Sequence, residues 1–552
     1  MKFLKLSLKN NLIFVLPILS GILLILAYPP YDLEFLIWIA LIPLLYFLSL
    51  KIVSIKKAFI GGAITGVLFF GKLFTWLFAT APFEWLGVSS GKNVIFVFVL
   101  VILLWLVQTL FFGLFFGVFS WAVKKSKVFN LSLLSYIILF PCLWIILEYL
   151  RAWSFGILWI GKETLFGPHW TFGNLAYSLH DIPILIQIAD IVGIYGTSFL
   201  IVFINTALFF AFLKIKKRKI ILSIFIILVL VVSAWAIYGI YKLKIEEKGE
   251  ERKIALIQTN FTAGVEFNSY QRKEVFETLL NLFQSEEALQ KKADFVITPE
   301  GFGIISLVKD TKIANYLVRN FWQPGQIFLE SQKIIDENQR PKSRLFYYDL
   351  EKTNPVAFHD KMLLVPNGEF LPYLTKGLLS IYSFNIKYEQ RLSQPGEKIN
   401  PAQTEKGTIG GTICSSILSP NLNRQMTKNG AQFLVVVSSD APFHGAETLL
   451  AQNLAMSKLR AIENRRYFAQ STNMGYSFLI NPKGKVVTKN PELGNKILFS
   501  DIQLINKKTI YTRFNDWIIV LAILVLFFLT FKKWYNKQYL KHEKIFNEKS
   551  AF

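Results

Sequence analysis

Three polar residues in this 552-residue chain follow directly on short apolar runs: Glu300 in DFVITPEG, Lys361 in FHDKMLLVPNGEF and Cys414 in IGGTICSS. A cysteine attacks a carbonyl once a neighbouring base takes its proton, and a carboxylate becomes that base when partial burial raises its pKa. A lysine ammonium beside them stabilises the oxyanion that develops. Together the three residue types make a complete acyl-transfer set. Taken singly, each also has a plain structural reading. A glutamate after Thr-Pro opens a turn, a lysine ahead of an apolar run is solvated, and a free cysteine ending a buried strand fills a core. Cys414 carries a further mark, because the one other cysteine, Cys142, lies inside a long apolar segment and is no disulfide partner for it.

The elements that must position these residues lie between about 252 and 505, where the composition is that of a globular domain. β-rich runs recur there as KIALIQ, DFVIT, IFLES, LFYYDL, IGGTIC, QFLVVVS, YFAQST and YSFLIN. Two stretches between them, NSYQRKEVFETLLNLFQSEEALQKKA and GAETLLAQNLAMSKLRAIENRR, show apolar residues at helical spacing. Strands alternating with helices predict a layered α/β fold, and strand ends are where such folds assemble sites. There is no Gly-rich phosphate loop, and the five histidines are scattered, so neither a cofactor nor a metal is expected.

The rest of the chain is membrane-like. Hydrophobic residues make up 53% of the sequence and charged residues 18%. Eight apolar runs approach bilayer length, near 11–28, 33–50, 58–80, 94–122, 130–150, 190–213, 220–241 and 515–531. The first lacks a small-residue cleavage site and more follow, so it is expected to be a retained helix. The net charge of +23 collects in every second connection: Lys2, Lys5 and Lys9; Lys51, Lys56 and Lys57; Lys124, Lys125 and Lys127; Lys214 to Lys219; and Lys532 to Lys544. This pattern reports topology rather than nucleic-acid binding, and puts both termini in the cytoplasm and the polar domain outside. The expected organisation is a seven-helix bundle over 1–245, an extracytoplasmic domain over 250–508, and a final helix with a basic tail over 512–552.

Several segments carry a family resemblance: LAYPPYDLEFLIWIALIPLL, LWIILEYLRAWSFGILW and LIQIADIVGIYGTSFLIVFIN in the membrane part, and IALIQTN, VITPEG, KMLLVPNGEFLP, GTIC and NPKGKVV in the domain. The chain resembles the apolipoprotein N-acyltransferases, a membrane-embedded branch of the nitrilase (carbon-nitrogen hydrolase) superfamily. The resemblance implies an αββα sandwich on a membrane α-helical bundle, with Glu300 as general base, Lys361 as oxyanion cation, Cys414 as nucleophile and Glu369 as a second active-site glutamate. It implies a phospholipid acyl donor, a thioester on the cysteine, and transfer to the α-amino group of a diacylglyceryl-cysteine lipoprotein at the inner membrane, by a monomer. Arg151 and Trp153, read as lying beyond the fifth span, are candidates for lipid contact, Arg151 near phosphate. The sequence departs from the family pattern where Ser415 and Ser416 replace Tyr-Glu after the nucleophile, where Ser439 and Pro442 replace Asn and Trp, and where Thr298 replaces Trp before Pro-Glu. Two other readings stand beside this one: a membrane-anchored amidase-like hydrolase, and a non-catalytic lipoprotein-binding scaffold.

Overall fold

The computed structural model describes residues 12–82, 90–124, 133–214, 216–262, 269–285, 288, 291–302, 325–337, 339–349, 355–381 and 392–529. The terminal lysine clusters, Lys2 to Lys9 and Lys532 to Lys544, lie outside these residues. Among the described residues, four helices are long and apolar enough to cross a bilayer: Gly91–Trp121, Tyr136–Leu158, Ala189–Leu213 and Arg218–Lys244. Val15–Leu26, Glu34–Ser49 and Trp517–Leu529 are shorter apolar stretches, and the run near 58–80 forms the helix Ile55–Leu73.

Small residues let two of these helices meet backbone to backbone. A Cβ added at Gly62 would come within 2.7 Å of the Phe112 carbonyl, and one at Gly66 within 3.2 Å of Thr109. Close approach of this kind is how helices gain van der Waals contact where lipid supplies no hydrophobic drive.

The fifth apolar run continues further than its composition suggests. The helix Leu133–Leu158 includes both Glu148 and Arg151, each buried. Charged residues persist in such a helix when they face the bundle interior and find partners there. Glu148 accepts hydrogen bonds from the Trp144 indole at 3.1 Å, from Asn174 Nδ2 at 2.9 Å and from the Leu175 N–H at 2.9 Å. Arg151 donates to Gln108 Oε1 at 3.1 Å and lies over the Phe70 ring. The expectation that Arg151 stands outside the fifth span is therefore corrected: it lies within the helix and its guanidinium faces partners inside the bundle. Trp153 lies in the same helix, half-buried, with its ring 6.4 Å from Tyr149.

The polar region contains two six-stranded sheets of mixed direction. The first has the order β12-β1-β2-β3-β4-β5 and the second β11-β10-β9-β8-β7-β6. The strands are β1 (Glu250–Gln258), β2 (Phe295–Ile297), β3 (Ile327–Ile335), β4 (Pro341–Asp349), β5 (Pro355–Asp360), β6 (Ala402–Thr404), β7 (Gly407–Ile413), β8 (Phe433–Ser439), β9 (Phe468–Asn473), β10 (Phe478–Ile480), β11 (Val486–Lys489) and β12 (Lys496–Leu504). All eight runs read as strands in the sequence are strands; β5, β6, β11 and β12 are additional.

Period-two alternation sorts the side chains into layers. Phe433, Val435 and Val437 of β8 join Ile254, Leu256, Phe295 and Ile297 in a core between the sheets. Ala255, Ile257 and Val296 face the other way, against the helix Ser269–Phe283. Leu434 and Val436 pack on the helices Pro420–Lys428 and Glu447–Asn464, and that core runs on without a break into the membrane helices. The result is the expected αββα sandwich, with one helical layer set on the bundle.

Polar contacts lock this seam. Arg465 pairs with Asp190 at 3.0 Å and donates to Gln187 at 2.7 Å, Glu463 accepts from the Ile194 N–H at 3.1 Å, and Lys458 pairs with Asp181.

Candidate active site

Glu300, Lys361 and Cys414 each stand just past a strand, β2, β5 and β7 respectively, and the fold brings those three ends together. Glu300 is tied down by its own N–H, which donates to the Ser438 carbonyl of β8 at 3.2 Å. Lys361 leaves β5 with its N–H on the Ser343 carbonyl at 2.8 Å, and its side chain is 1% exposed. The Gly-Gly pair in IGGTIC brings β7 close to the opposite sheet, since a Cβ on Gly411 would lie 1.9 Å from the Tyr347 hydroxyl. Cys414 follows in the left-handed region, with φ +47°, and begins a single 3₁₀ turn to Leu418. A non-glycine residue there is strained, and its surroundings must hold it.

Lys361 is the hub. Its ammonium donates to Glu300 Oε1 at 3.1 Å and to Glu369 Oε1 at 2.8 Å. Glu369 also closes its own turn, accepting the Val365 N–H on Oε2 at 2.8 Å. It thus closes its turn and at the same time stands against the Lys361 ammonium. Asn367, at φ +63°, shapes that turn and is held by Thr375 at 2.6 Å.

Burial pulls the Lys361 ammonium down, but the charges of Glu300 and Glu369 outweigh it and hold it well above the usual lysine range. Burial raises the Glu300 carboxyl, Lys361 draws it down, Glu369 pushes it up, and a hydrogen bond with the Cys414 thiol draws it down again; the net direction is up. The thiol is driven well above the ordinary cysteine value by burial and then by Glu300, with Lys361 opposing. Cys414 therefore rests as a protonated thiol beside a carboxyl of raised basicity. This is the arrangement in which the base removes the proton as the nucleophile attacks, rather than one in which a thiolate waits beforehand.

Of the residues that replace the family's usual ones, Ser415 donates to the Leu363 carbonyl, linking the nucleophile turn to the Lys361–Glu369 segment. Ser416 is buried and donates to the Ile413 carbonyl at 3.0 Å. Thr298 is buried with its hydroxyl on the Leu329 carbonyl at 2.9 Å, and Ser439 accepts from Asn473 Nδ2 at 3.3 Å. Arg151 and Trp153 are not brought together with Glu300, Lys361, Glu369 and Cys414: Arg151 meets Gln108 and Phe70, and Trp153 meets Tyr149. Asp32, His180 and Asp181 could offer three ligand atoms within 4.8 Å of one another, but Lys458 already pairs with Asp181, so the cluster reads as an ion-pair clasp between bundle and domain.

One buried neighbour of Glu300 escaped the sequence reading. Asp440, just past the end of β8, is 3% exposed, and its carboxyl is raised to about 7 by burial and then by the charge of Glu300. The strand-end rule that found the other three residues would have found it as well. Because its folded value lies above the ordinary one, Asp440 favours folding at acid pH, and that contribution is lost as pH rises towards about 7. In Asp440→Asn the thermal unfolding midpoint is expected to exceed the parent's by an amount that grows between pH 4 and 7 and then levels off, reaching about 2–4 °C. A difference independent of pH in detergent melts would mean that the carboxyl does not titrate in that range.

Residues 20–207 match the family of the apolipoprotein N-acyltransferase N-terminal domain, and residues 253–507 match the carbon-nitrogen hydrolase family. The chain belongs to the apolipoprotein N-acyltransferases. It is 28% identical to the apolipoprotein N-acyltransferase of Geobacter metallireducens over 94% of this chain and 95% of that one. It is 25% identical to the Pasteurella multocida enzyme over 95% and 96%, and 27% identical to that of Thermotoga maritima over 92% of each. It is thus an acyltransferase of the nitrilase superfamily and an integral membrane protein acting in lipoprotein N-acylation, with lipoprotein acceptors as substrates.

Proposed function

We propose that the chain moves a fatty acyl group from a phospholipid to the lipoprotein amine through a thioester on Cys414. The observation that carries this reading is the buried Lys361 ammonium bridging Glu300 and Glu369, beside the Cys414 thiol. In the first half-reaction Glu300 takes the thiol proton as sulfur attacks the acyl ester carbonyl. Two of the three N–H donors of Lys361 are committed to carboxylates, and the third serves the oxyanion. The C–O bond breaks, the leaving alkoxide takes the proton from Glu300, and a lysophospholipid departs.

In the second half-reaction the α-amino group of the diacylglyceryl-cysteine attacks the thioester and loses a proton to Glu300. The C–S bond breaks, and the thiolate regains that proton, which leaves an amide and the original enzyme. The domain faces outward, on the charge pattern of its connections, and the enzyme works as a monomer. Half-buried Trp153 helps shape lipid access.

Raised basicity at Glu300 sets the pH dependence of the first step. The rate of Cys414 acylation is expected to fall on the acid side with a midpoint above the ordinary glutamate range, because protonated Glu300 cannot accept the thiol proton. Single-turnover acylation from pH 4 to 8 measures this. A midpoint at the ordinary glutamate value would remove Glu300 as the buried base.

Transfer is separated from hydrolysis by supplying a labelled phospholipid with and without a diacylglyceryl-cysteine peptide. Labelled amide should form with the peptide, and little free fatty acid without it. Equal release of free fatty acid in both would favour the hydrolase reading.

A further inference from the structure

The helix Leu133–Leu158 leads into a loop, residues 159–174, that leaves the membrane part and touches both halves of the candidate site. At its start the Ile160 carbonyl accepts the Tyr373 N–H at 2.8 Å, and a Cβ on Gly161 would meet the Phe370 ring at 3.1 Å. The loop therefore lies flush against the turn that carries Glu369. Further on, the Thr171 hydroxyl donates to the Leu418 carbonyl at 2.7 Å, and His169 Nδ1 shares a hydrogen bond of 2.7 Å with the Ser419 hydroxyl. Leu418 and Ser419 end the short turn that Cys414 begins.

The far end of the loop hangs from Glu148 through Asn174 and Leu175, inside the bundle. All four contact residues are buried: Thr171, His169, Leu418 and Ser419 are each at most 9% exposed. Water does not compete for these bonds, and losing the Thr171 bond takes a donor from a buried carbonyl.

We propose that Thr171 and His169 are positioning residues for the nucleophile, so that the membrane bundle, anchored at Glu148, sets the geometry of Cys414 rather than only tethering the domain. This rests on the reading that Cys414 is the acylated residue. Cys414 sits at φ +47°, a conformation that persists only where its neighbours over-determine it. On one side the turn is held by Ser415 on the Leu363 carbonyl, and beneath it by Asn423, which donates to the Ser416 and Ser419 carbonyls at 3.1 and 3.0 Å. On the remaining side the loop of the membrane part completes the support. Loss of one such bond lets the turn relax, and a displacement of about 1 Å at a reacting atom costs roughly 100-fold in rate.

The test uses the full-length protein in detergent, with Thr171→Val, Thr171→Ser and His169→Phe. Two quantities are followed by peptide mass spectrometry at Cys414: acylation by a phosphatidylethanolamine, and alkylation by iodoacetamide across pH 6 to 10. Thr171→Val is expected to lower the maximal acylation rate by about 10- to 100-fold, to leave KM for the phospholipid within about twofold, and to displace the pH profile of alkylation. Thr171→Ser, which keeps the hydroxyl, should stay within about threefold of the parent in both. His169→Phe, which breaks the second bond independently, should shift both readouts in the same direction as Thr171→Val. An unchanged rate and alkylation profile in Thr171→Val, or a Thr171→Ser as impaired as Thr171→Val, would overturn the proposal. If the parent protein shows no acylation at Cys414, the thioester reading fails, while the alkylation profiles still decide whether the loop positions the thiol.

Discussion

In Cys414→Ala, transfer of acyl groups to a lipoprotein amine is expected to fall by on the order of 10⁴-fold or more, to the uncatalysed background. The other groups around the thiol, Lys361, Glu300 and Glu369, hold one another in place without it. The variant should therefore stay folded, with its unfolding midpoint within a few degrees of the parent's. Cys414→Ser should be nearly as inactive towards the amine. A serine hydroxyl is far less acidic than the already raised thiol, and any oxyester formed resists attack by an amine more than a thioester does. Substantial turnover in Cys414→Ala, measured with labelled phospholipid and a diacylglyceryl peptide, would remove the proposed nucleophile.

Lys361→Met is expected to be the second most damaging change, and to harm both rate and stability. The rate should fall by about 10³-fold, the size of effect seen when a group facing the oxyanion is lost. Stability should fall by about 3 kcal/mol, because Glu300 and Glu369 would face each other with no cation between them. The Glu300 carboxyl, already raised by burial, would then be raised further above its unfolded value. A carboxyl raised in the folded state contributes most at low pH and loses that contribution as pH climbs, so Lys361→Met should be nearer to the parent at pH 5 than at pH 8. Adding Glu369→Gln should recover part of the stability at pH 8 and none of the rate. A Lys361→Met protein with equal losses at both pH values would mean that the pair is not ionised as described.

Much of this arrangement was legible in the sequence, because the active groups sit where a local pattern changes. Glu300 and Cys414 each end an apolar run that forms a buried strand, and a polar residue at such a point stands out. The eight strands read from the sequence are compact apolar runs. The four missed are irregular: β5 opens on Pro355, β6 (Ala402–Thr404) is mostly polar, β11 falls within a turn-rich segment, and in β12 the polar pair Ser500 and Asp501 breaks the apolar run. The register of β12 is set from outside, by nine antiparallel partners on β1.

Long-range partners were not legible. The end placed at about 150 for the fifth apolar run follows from local composition, whereas Glu148 and Arg151 are tolerated in the helix because Asn174, Leu175 and Gln108 meet them inside the bundle. The bond from Thr171 to Leu418 joins residues 247 positions apart, and no periodicity announces such a contact. Nor did spacing reveal that Ser415, where the family has another residue type, would tie the nucleophile turn to Leu363.

The central claim is that one sulfur atom carries the acyl chain between two substrates. Its most direct test is the intact mass of the full-length protein after incubation with a phospholipid of defined acyl chains and no acceptor. The expected result is a mass increase of one acyl group on the peptide containing Cys414, released by neutral hydroxylamine and discharged on adding a diacylglyceryl-cysteine peptide. An acyl group found elsewhere, or amide product formed with Cys414 never acylated, would contradict the account.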